Sequence, residues 1–275
     1  MGIEEEIINR ILNCLPSKNP EKNWMYEIAA RAGLIPAQAP AKAIVDLREP
    51  WWEIGDQMDS GSCVGWGTAD AVCRWHFVKK GVLKKNQKLS VRYPWMAAKE
   101  VDVYTDYPTT FLELEGTWIT AALDIARKFG LVTDELLPFR LPDLNLRMAN
   151  ERLYVGGGLQ DFYTKASNLK IAGYYNLGTN MDNWKSWLAT KGPIVSRLDV
   201  DATWENATKT NGNLDTYQRS TAHGGHCVAI VGYGYKDDRF IVRNSWGTSW
   251  GDNGFAYASK AYAQAAFTEA YGVNV

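Results

Sequence analysis

A polar loop gives way to an apolar run at Gln57-Met58-Asp59-Ser60-Gly61-Ser62-Cys63-Val64-Gly65-Trp66, and this transition decides how the rest of the chain is interpreted. Asp59, Ser60 and Ser62 are residue types that cap helices, so they predict a helix that begins near Cys63. A helix N-terminus stabilises nearby negative charge, and a thiol placed there ionises more readily to the reactive thiolate. Gln57 is placed to donate its amide to an oxyanion. The alternative is a structural cysteine that packs at a loop-to-helix junction.

The composition indicates a globular chain with a substantial core. Its 275 residues are 46% hydrophobic, which suits one large domain or two modest ones. The formal net charge is −1 and no long basic run occurs, which argues against nucleic acid as a partner. Because no apolar run approaches the ~20 residues that span a bilayer, we expect no membrane partner either.

Four cysteines are spread widely along the chain, at Cys14, Cys63, Cys73 and Cys227. So few cysteines in so long a chain do not suggest a disulfide framework. Residues 1–6 are acidic where a secretory signal peptide would be basic and then apolar. We therefore expect a cytoplasmic or otherwise reducing location, without a signal peptide.

Residues 1–45 are predicted to form a separate N-terminal segment. Apolar residues at helical spacing from Ile3 to Leu15 predict a first helix, and a second is expected from about Glu21 to Ala32. The stretch from Leu34 to Ala41, punctuated by prolines, predicts an extended linker. The segment is either a docking arm or a pro-segment that lies across an active site and inhibits it.

The remaining chain divides into a mainly helical region, residues 46–165, and a strand-rich region, residues 166–275. In the first, the Cys63 helix is expected to end near Gly81, while Ser90 and Thr117 are placed to cap two further helices. The second contains β-type runs at 194–198, 227–235 and 239–243, a helix near 182–191 and an Ala-rich late helix near 256–266.

A thiol nucleophile needs a base, and the chain has three histidines. His76 lies on the same predicted helix as Cys63, roughly 20 Å away at the helical rise per residue, which is too far for proton transfer. His226 stands at the start of a predicted strand, which would hold it rigidly, whereas His223 lies in the preceding loop. His223 and His226 together could also suggest a metal site. Residues three apart on an extended segment face opposite sides, however, so we expect no metal or other cofactor here.

Asn244 follows directly after the predicted strand that ends at Arg243. Its amide oxygen is suited to accept from the far nitrogen of His226 and so fix the orientation of the ring. Trp246 would then keep water away from that hydrogen bond. The alternatives are an asparagine that serves a turn and a tryptophan that only packs.

Four blocks of sequence together resemble the papain family of cysteine peptidases. They are IVDLR at 44–48, the stretch at 57–66, GHCVAIVGYG at 225–234, and the motif Asn-Ser-Trp-Gly-x-x-Trp-Gly-x-x-Gly-Phe within 243–255. The family often has a cysteine where this chain has Ser60 and an aromatic residue where it has Val64. These departures remove no catalytic group, and they make the chain more similar to bacterial or viral members.

The resemblance implies an α+β fold with two lobes. A helical left lobe would carry Cys63, an antiparallel β-barrel right lobe would carry His226 and Asn244, and the cleft would lie between them. It also implies that Cys63 is the nucleophile, His226 the base and acid, and Asn244 the residue that orients the imidazole. Gln57 would stabilise the oxyanion together with the Cys63 N–H, and Trp246 would shield the site.

Substrate-binding positions follow from the same resemblance. Gly116 would belong to the strip that pairs with the substrate backbone, Trp118 would line a side-chain pocket, and Gly225 would lie beside the catalytic histidine. The expected function is a cysteine-type endopeptidase that acts on peptides or proteins through an acyl-thioester. Two alternatives remain: a catalytically silent component of a larger assembly, and a transpeptidase or cross-link hydrolase that uses the same thiol.

Overall fold

The computed structural model describes residues 10–35, 42–101, 116–139, 159–235 and 237–275. A long helix begins at Cys63, in three consecutive pieces that we call α2: Cys63–Gly65, a π-helical stretch Trp66–Cys73, and Arg74–Lys79. Gly81 follows it with a φ of 73°, a left-handed conformation that glycine adopts without strain. The predicted start and end of this helix are therefore confirmed.

The other helices are shorter. They are α1 Tyr26–Arg31, α3 Arg92–Val101, α4 Ile119–Lys128, α5 Leu159–Ser167, α6 Met181–Thr190, α7 Ala202–Glu205 and α8 Lys260–Ala266, with 3-10 turns at Pro20–Lys22 and Arg219–Thr221. Ser90 acts as predicted at the start of α3, because its hydroxyl accepts from the Tyr93 N–H at 3.1 Å. Within the described residues, no helix has the length and apolar character needed to cross a bilayer.

In the part of the chain that the structure describes, eight strands form one mostly antiparallel sheet. They are β1 Val45–Asp46, β2 Gly173–Asn176, β3 Ile194–Val200, β4 Asn213–Leu214, β5 Gly224–Tyr235, β6 Arg239–Arg243, β7 Phe255–Ala258 and β8 Phe267–Asn274. Their order is β2-β8-β3-β5-β6-β7-β4, and β1 pairs with β5 outside this path. Helices pack on both faces of this sheet, in two separate hydrophobic clusters, and their combination with a mostly antiparallel sheet confirms the α+β class. The boundaries at residues 45 and 165 stay a prediction.

The helical part packs against the centre of the sheet, on β5. A Cβ placed on Gly67 of α2 would lie 2.5 Å from the Cys227 sulfur on β5, so helix and strand approach as closely as a glycine allows. A buried ion pair joins the same two parts, because Arg243 at the end of β6 contacts Asp70 of α2 at 2.8 Å. Cys63 and His226 are therefore held on elements that pack directly together.

The N-terminal segment differs most from expectation. Residues 10–15 are extended rather than helical, and residues 3–9 of the predicted first helix lie outside the described residues. Asn13 bridges to Gly225 in parallel, and Leu15 donates its N–H to the Thr117 carbonyl at 3.0 Å. These residues hydrogen-bond to both parts of the molecule and so do not need the hydrogen bonds of a helix. The amphipathic pattern therefore predicted the wrong structure for them.

Three further predictions are corrected in detail. The second helix is interrupted, because Met25 is extended and bridges to Asn176 of β2. Thr117 caps no helix; the Thr120 N–H of α4 instead points to the Ser17 hydroxyl at 3.4 Å. The Ala-rich late helix is shorter than predicted, since its first residues form β7. Positions 36–41 of the predicted linker lie outside the described residues.

Candidate active site

The hydrogen bond between His226 and Asn244 defines the chemistry of the imidazole. His226 Nε2 lies 2.7 Å from Asn244 Oδ1, and the Ser245 N–H donates to the same oxygen at 2.8 Å. Because a main-chain N–H can only donate, this atom of Asn244 must be the amide oxygen, and Nε2 must carry a proton. In the neutral ring the lone pair therefore lies on Nδ1. That buried atom has no nitrogen or oxygen partner among the described residues.

Cys63 lies at the first position of α2 and is fully buried. Its thiol interacts with the His226 ring, which acts to lower the pKa of the thiol. The Cys14 thiol and burial outweigh this effect and raise the pKa well above its ordinary value of 9.0. The structure therefore describes a protonated thiol, held beside an imidazole that is free to accept its proton.

Gln57 is fixed in the loop that precedes Cys63. Its Oε1 accepts from the Ser245 hydroxyl at 3.0 Å, and its Nε2 donates to the Ser60 carbonyl at 2.9 Å. An amide nitrogen carries two hydrogens, so one remains for a further acceptor. The helix N-cap is Ser62, whose side chain makes no capping hydrogen bond. Ser60 does not cap the helix either; its hydroxyl donates to the Gln57 carbonyl at 2.6 Å and closes this loop.

Two indoles enclose the histidine. The Trp246 ring lies 5.0 Å from the His226 ring between centroids, with an angle of 35° between their planes. Trp204, which the sequence did not suggest, packs against His226 in a T-shaped arrangement, with 5.8 Å between the ring centroids. Trp246 is only 2% exposed and His226 is fully buried, so little water reaches the bond to Asn244.

The predicted substrate-binding positions contact the N-terminal segment instead of open solvent. A Cβ on Gly116 would lie 2.3 Å from the Asn13 carbonyl oxygen, and one on Gly225 equally close to that of Cys14. The Cys14 N–H donates to the Gly225 carbonyl at 2.9 Å. Trp118 is buried, and the Lys18 ammonium lies 5.2 Å from the centre of its ring. The segment therefore fills the cleft between the two parts of the molecule.

Some residues at the site were not found from the sequence. Arg197 of β3 donates from Nε to the Cys14 carbonyl at 2.9 Å, and Arg10 pairs with Asp56 at 2.6 Å. No local pattern marks these residues, because their contacts join parts of the chain that are far apart in sequence. Cys14 was noticed only as one of four cysteines.

The other two histidines lie elsewhere. His223 is 3.2 Å from Glu205 at the surface, and His76 is buried against Gly192. Within the described residues, no three His, Cys, Asp or Glu side chains are arranged to hold a metal ion.

Comparison with known proteins identifies the family of the chain. Residues 41–271 match the family model for papain family cysteine proteases. A cathepsin L-like proteinase of Fasciola hepatica is 25% identical over 229 residues, which cover 80% of this chain and 62% of that protein. The cathepsin B-like CP2 of Giardia intestinalis is 26% identical over 208 residues, 74% of this chain and 62% of that protein. The chain thus spans about three fifths of these curated relatives.

Solved structures show the same fold. Xylellain, a cysteine protease from Xylella fastidiosa, has a TM-score of 0.74 at 21% identity and covers 96% of both chains. Digestive procathepsin L 3 of the Tenebrio molitor larval midgut has a TM-score of 0.66 at 17% identity, over 100% of this chain and 80% of that one. With the family model matched over most of the sequence, the chain belongs to the papain family of cysteine proteases.

Proposed function

We propose that this protein is a cysteine-type endopeptidase in which Cys63 attacks the peptide carbonyl and His226 transfers the protons. One observation carries the proposal: the His226 proton on Nε2 is committed to Asn244, which leaves the Nδ1 lone pair for the thiol. A thiol at a helix N-terminus, beside a base whose orientation is fixed by an amide, has the parts that nucleophilic catalysis requires.

The reaction follows from this arrangement in two steps. His226 takes the Cys63 proton, and the thiolate attacks the carbonyl carbon, whose oxygen becomes an oxyanion. The free Gln57 N–H and the Cys63 backbone N–H at the start of α2 donate to that oxyanion. His226 then protonates the leaving amine, and water, activated by the same imidazole, hydrolyses the thioester.

The N-terminal segment is proposed to inhibit this site in the full chain. Arg10 lies near Trp246, beside the histidine, and Leu15 lies at Thr117, beside the strip that the resemblance assigns to the acyl side of a substrate. The leaving amine departs on the histidine side. A substrate would therefore run from the strip towards Trp246, whereas residues 10–15 run the opposite way. A reversed backbone can occupy the cleft without presenting a scissile bond correctly. The similar structures include procathepsins L and B.

The test compares Cys63→Ala with Cys73→Ala. Both cysteines are fully buried on α2, but only Cys63 interacts with the imidazole. We expect hydrolysis of a peptide library, in reducing buffer, to fall by at least about a thousandfold in Cys63→Ala because the nucleophile is lost. Cys73→Ala should keep most of the activity.

Labelling with an epoxide-type thiol inhibitor provides an independent measurement. Peptide mapping of the labelled wild-type protein should place the adduct on Cys63. An adduct on Cys14, Cys73 or Cys227 instead would contradict the proposal. Labelling without any peptide hydrolysis would favour a silent component of an assembly, and products that incorporate an added amine would favour transpeptidation.

A further inference from the structure

A second thiol lies directly against the proposed nucleophile. Cys14 is 2% exposed, and its thiol interacts with those of Cys63 and Cys227. The chain brings these three cysteines together from the N-terminal segment, from α2 and from β5. All of them are reduced in the structure. The catalytic proposal uses only Cys63, so a buried cysteine facing it is a group without a role so far.

The backbone of Cys14 is held on both sides of the cleft. Its N–H donates to Gly225 at 2.9 Å, its carbonyl accepts from Arg197 Nε at 2.9 Å, and the next N–H, of Leu15, donates to Thr117 at 3.0 Å. Gly225 lacks the Cβ that would lie 2.3 Å from the Cys14 carbonyl oxygen. Contacts on three sides hold the backbone of Cys14 in one position in the cleft.

We propose that Cys14 and Cys63 form a reversible disulfide that fastens the N-terminal segment in the cleft under oxidising conditions. The bond would convert a displaceable inhibitor into a covalent one and protect the nucleophile from irreversible oxidation. Reduction of the disulfide would again allow the segment to leave the cleft. This inference rests on the proposed function, since it assigns redox regulation to the same active site.

Hydrogen peroxide is a sufficient oxidant, and the steps balance. When the segment opens, His226 takes the Cys63 proton and the thiolate attacks peroxide. A sulfur–oxygen bond forms, the oxygen–oxygen bond breaks, and the released hydroxide leaves as water with the proton of the imidazolium. As the segment closes, the Cys14 sulfur attacks the sulfenic sulfur. The sulfur–sulfur bond forms, and the hydroxyl leaves as water with the Cys14 proton.

The other cysteines are less suited to start this reaction. Cys73 is buried in α2, where desolvation raises the pKa of its thiol to about 12. Cys227 interacts with Cys14, but burial raises the pKa of its thiol too. Cys63 is the one of the four cysteines whose thiol interacts with an imidazole, and the Cys14 thiol, the largest cause of its raised pKa, belongs to the segment that opens. Thiolate character decides which cysteine peroxide oxidises first, so the disulfide is expected at Cys63.

The test uses the full chain treated with hydrogen peroxide, then blocked with a maleimide and mapped without reduction. We expect a linked peptide pair that joins Cys14 to Cys63, with the summed mass of the two peptides less two hydrogen atoms. Peptide hydrolysis should be lost with peroxide and recovered with dithiothreitol. Cys227→Ser, the matched control at the other neighbour of Cys14, should form the same link.

Cys14→Ser and Cys14→Ala should form no such link, and their peroxide-treated activity should not return with dithiothreitol, because the sulfenic acid proceeds to the sulfinic acid. Circular dichroism checks that both variants fold. A Cys14–Cys227 link, no link at all, or full recovery of the Cys14 variants would overturn the inference. The mapping needs no activity, so a Cys14–Cys63 link in a protein that hydrolyses no peptide would refute the proposed function alone.

Discussion

His76 is a buried imidazole that should make stability depend on pH. Burial lowers its pKa from an ordinary value of 6.5 to about 4, and Lys80 and Lys191 act in the same direction. The folded protein therefore keeps the ring neutral, while the unfolded chain takes up a proton below pH 6.5. Stability is fully present above pH 6.5 and should fall by up to about 3 kcal/mol as the pH decreases to about 4.

Urea unfolding at pH 7 and pH 4.5 measures this contribution. We expect His76→Gln to lose less stability between these pH values than the wild type, since its side chain does not titrate. His223→Gln is the control, because His223 is exposed at the surface. If His76→Gln and the wild type lost equal stability, the buried ring would not be the cause.

Single residues with a strong local signature were the easiest to predict. Cys63, His226 and Asn244 were found from capping chemistry, a strand boundary and a short motif, and the structure brings them together. Their catalytic roles stay proposals until activity is measured. Cys14, Arg197 and Trp204 were missed because each reaches the site through packing between distant segments, which leaves no pattern in the neighbouring sequence.

At the scale of elements, the N-terminal segment depends on glycines that let it approach the sheet. A Cβ on Gly224 of β5 would lie 2.5 Å from both the Cβ and the carbonyl oxygen of Leu12. Gly224→Ala should therefore loosen the segment, at a cost of about 1–3 kcal/mol for an overpacked contact. Because each kcal/mol changes an opening equilibrium about fivefold, we expect alkylation of Cys63 to be at least about fivefold faster.

The rate of Cys63 modification by a small haloacetamide, followed by mass spectrometry, provides the measurement. Gly173→Ala is the matched control, since a Cβ on that β2 residue would meet nothing within 4 Å. An equal rate in both variants would mean that the contact with Leu12 does not hold the segment in place.

The long helix and the central strands followed the sequence better than the N-terminal segment. The long helix α2 and strands β3, β5 and β6 lie near the predicted ranges, because each is a mainly apolar run that is buried along most of its length. The segment around residues 10–15 satisfies its backbone on other parts of the molecule, so its helix-like spacing was not informative.

At the scale of the whole molecule, a buried ion cluster joins the helices to the sheet. Asp70 of α2 contacts Arg243 of β6 at 2.8 Å and Arg74 at 3.2 Å, with all three side chains at most 5% exposed. Removing the carboxylate charge would leave buried guanidinium groups without a counterion. We expect Asp70→Asn to lower the free energy of unfolding by about 3–5 kcal/mol.

Urea unfolding of Asp161→Asn provides the control for this prediction. Asp161 pairs with Lys165 on α5 with side chains 39% and 49% exposed, and such a surface pair contributes at most about 1 kcal/mol. If both variants lost equal stability, the buried cluster would not be what holds the two parts together.

The general architecture was predictable because the order of the motifs fixes which part carries each functional side chain. The packing of the helical part on the sheet could not be predicted, because it depends on contacts between residues far apart in the chain, such as Asp70 with Arg243. The occupation of the cleft by residues 10–18 depends on the same kind of contact.

The cluster of Trp204, Trp246 and Trp250 has a spectroscopic consequence. Ring centroids in this trio are 4.7–5.9 Å apart, and the Arg10 guanidinium lies 5.9 Å from the Trp246 ring. Indoles this close absorb as a coupled chromophore whose near-ultraviolet dichroism depends on their surroundings. Departure of Arg10 would change that signal, so the opening of the protein can be followed optically, without a substrate or an attached dye.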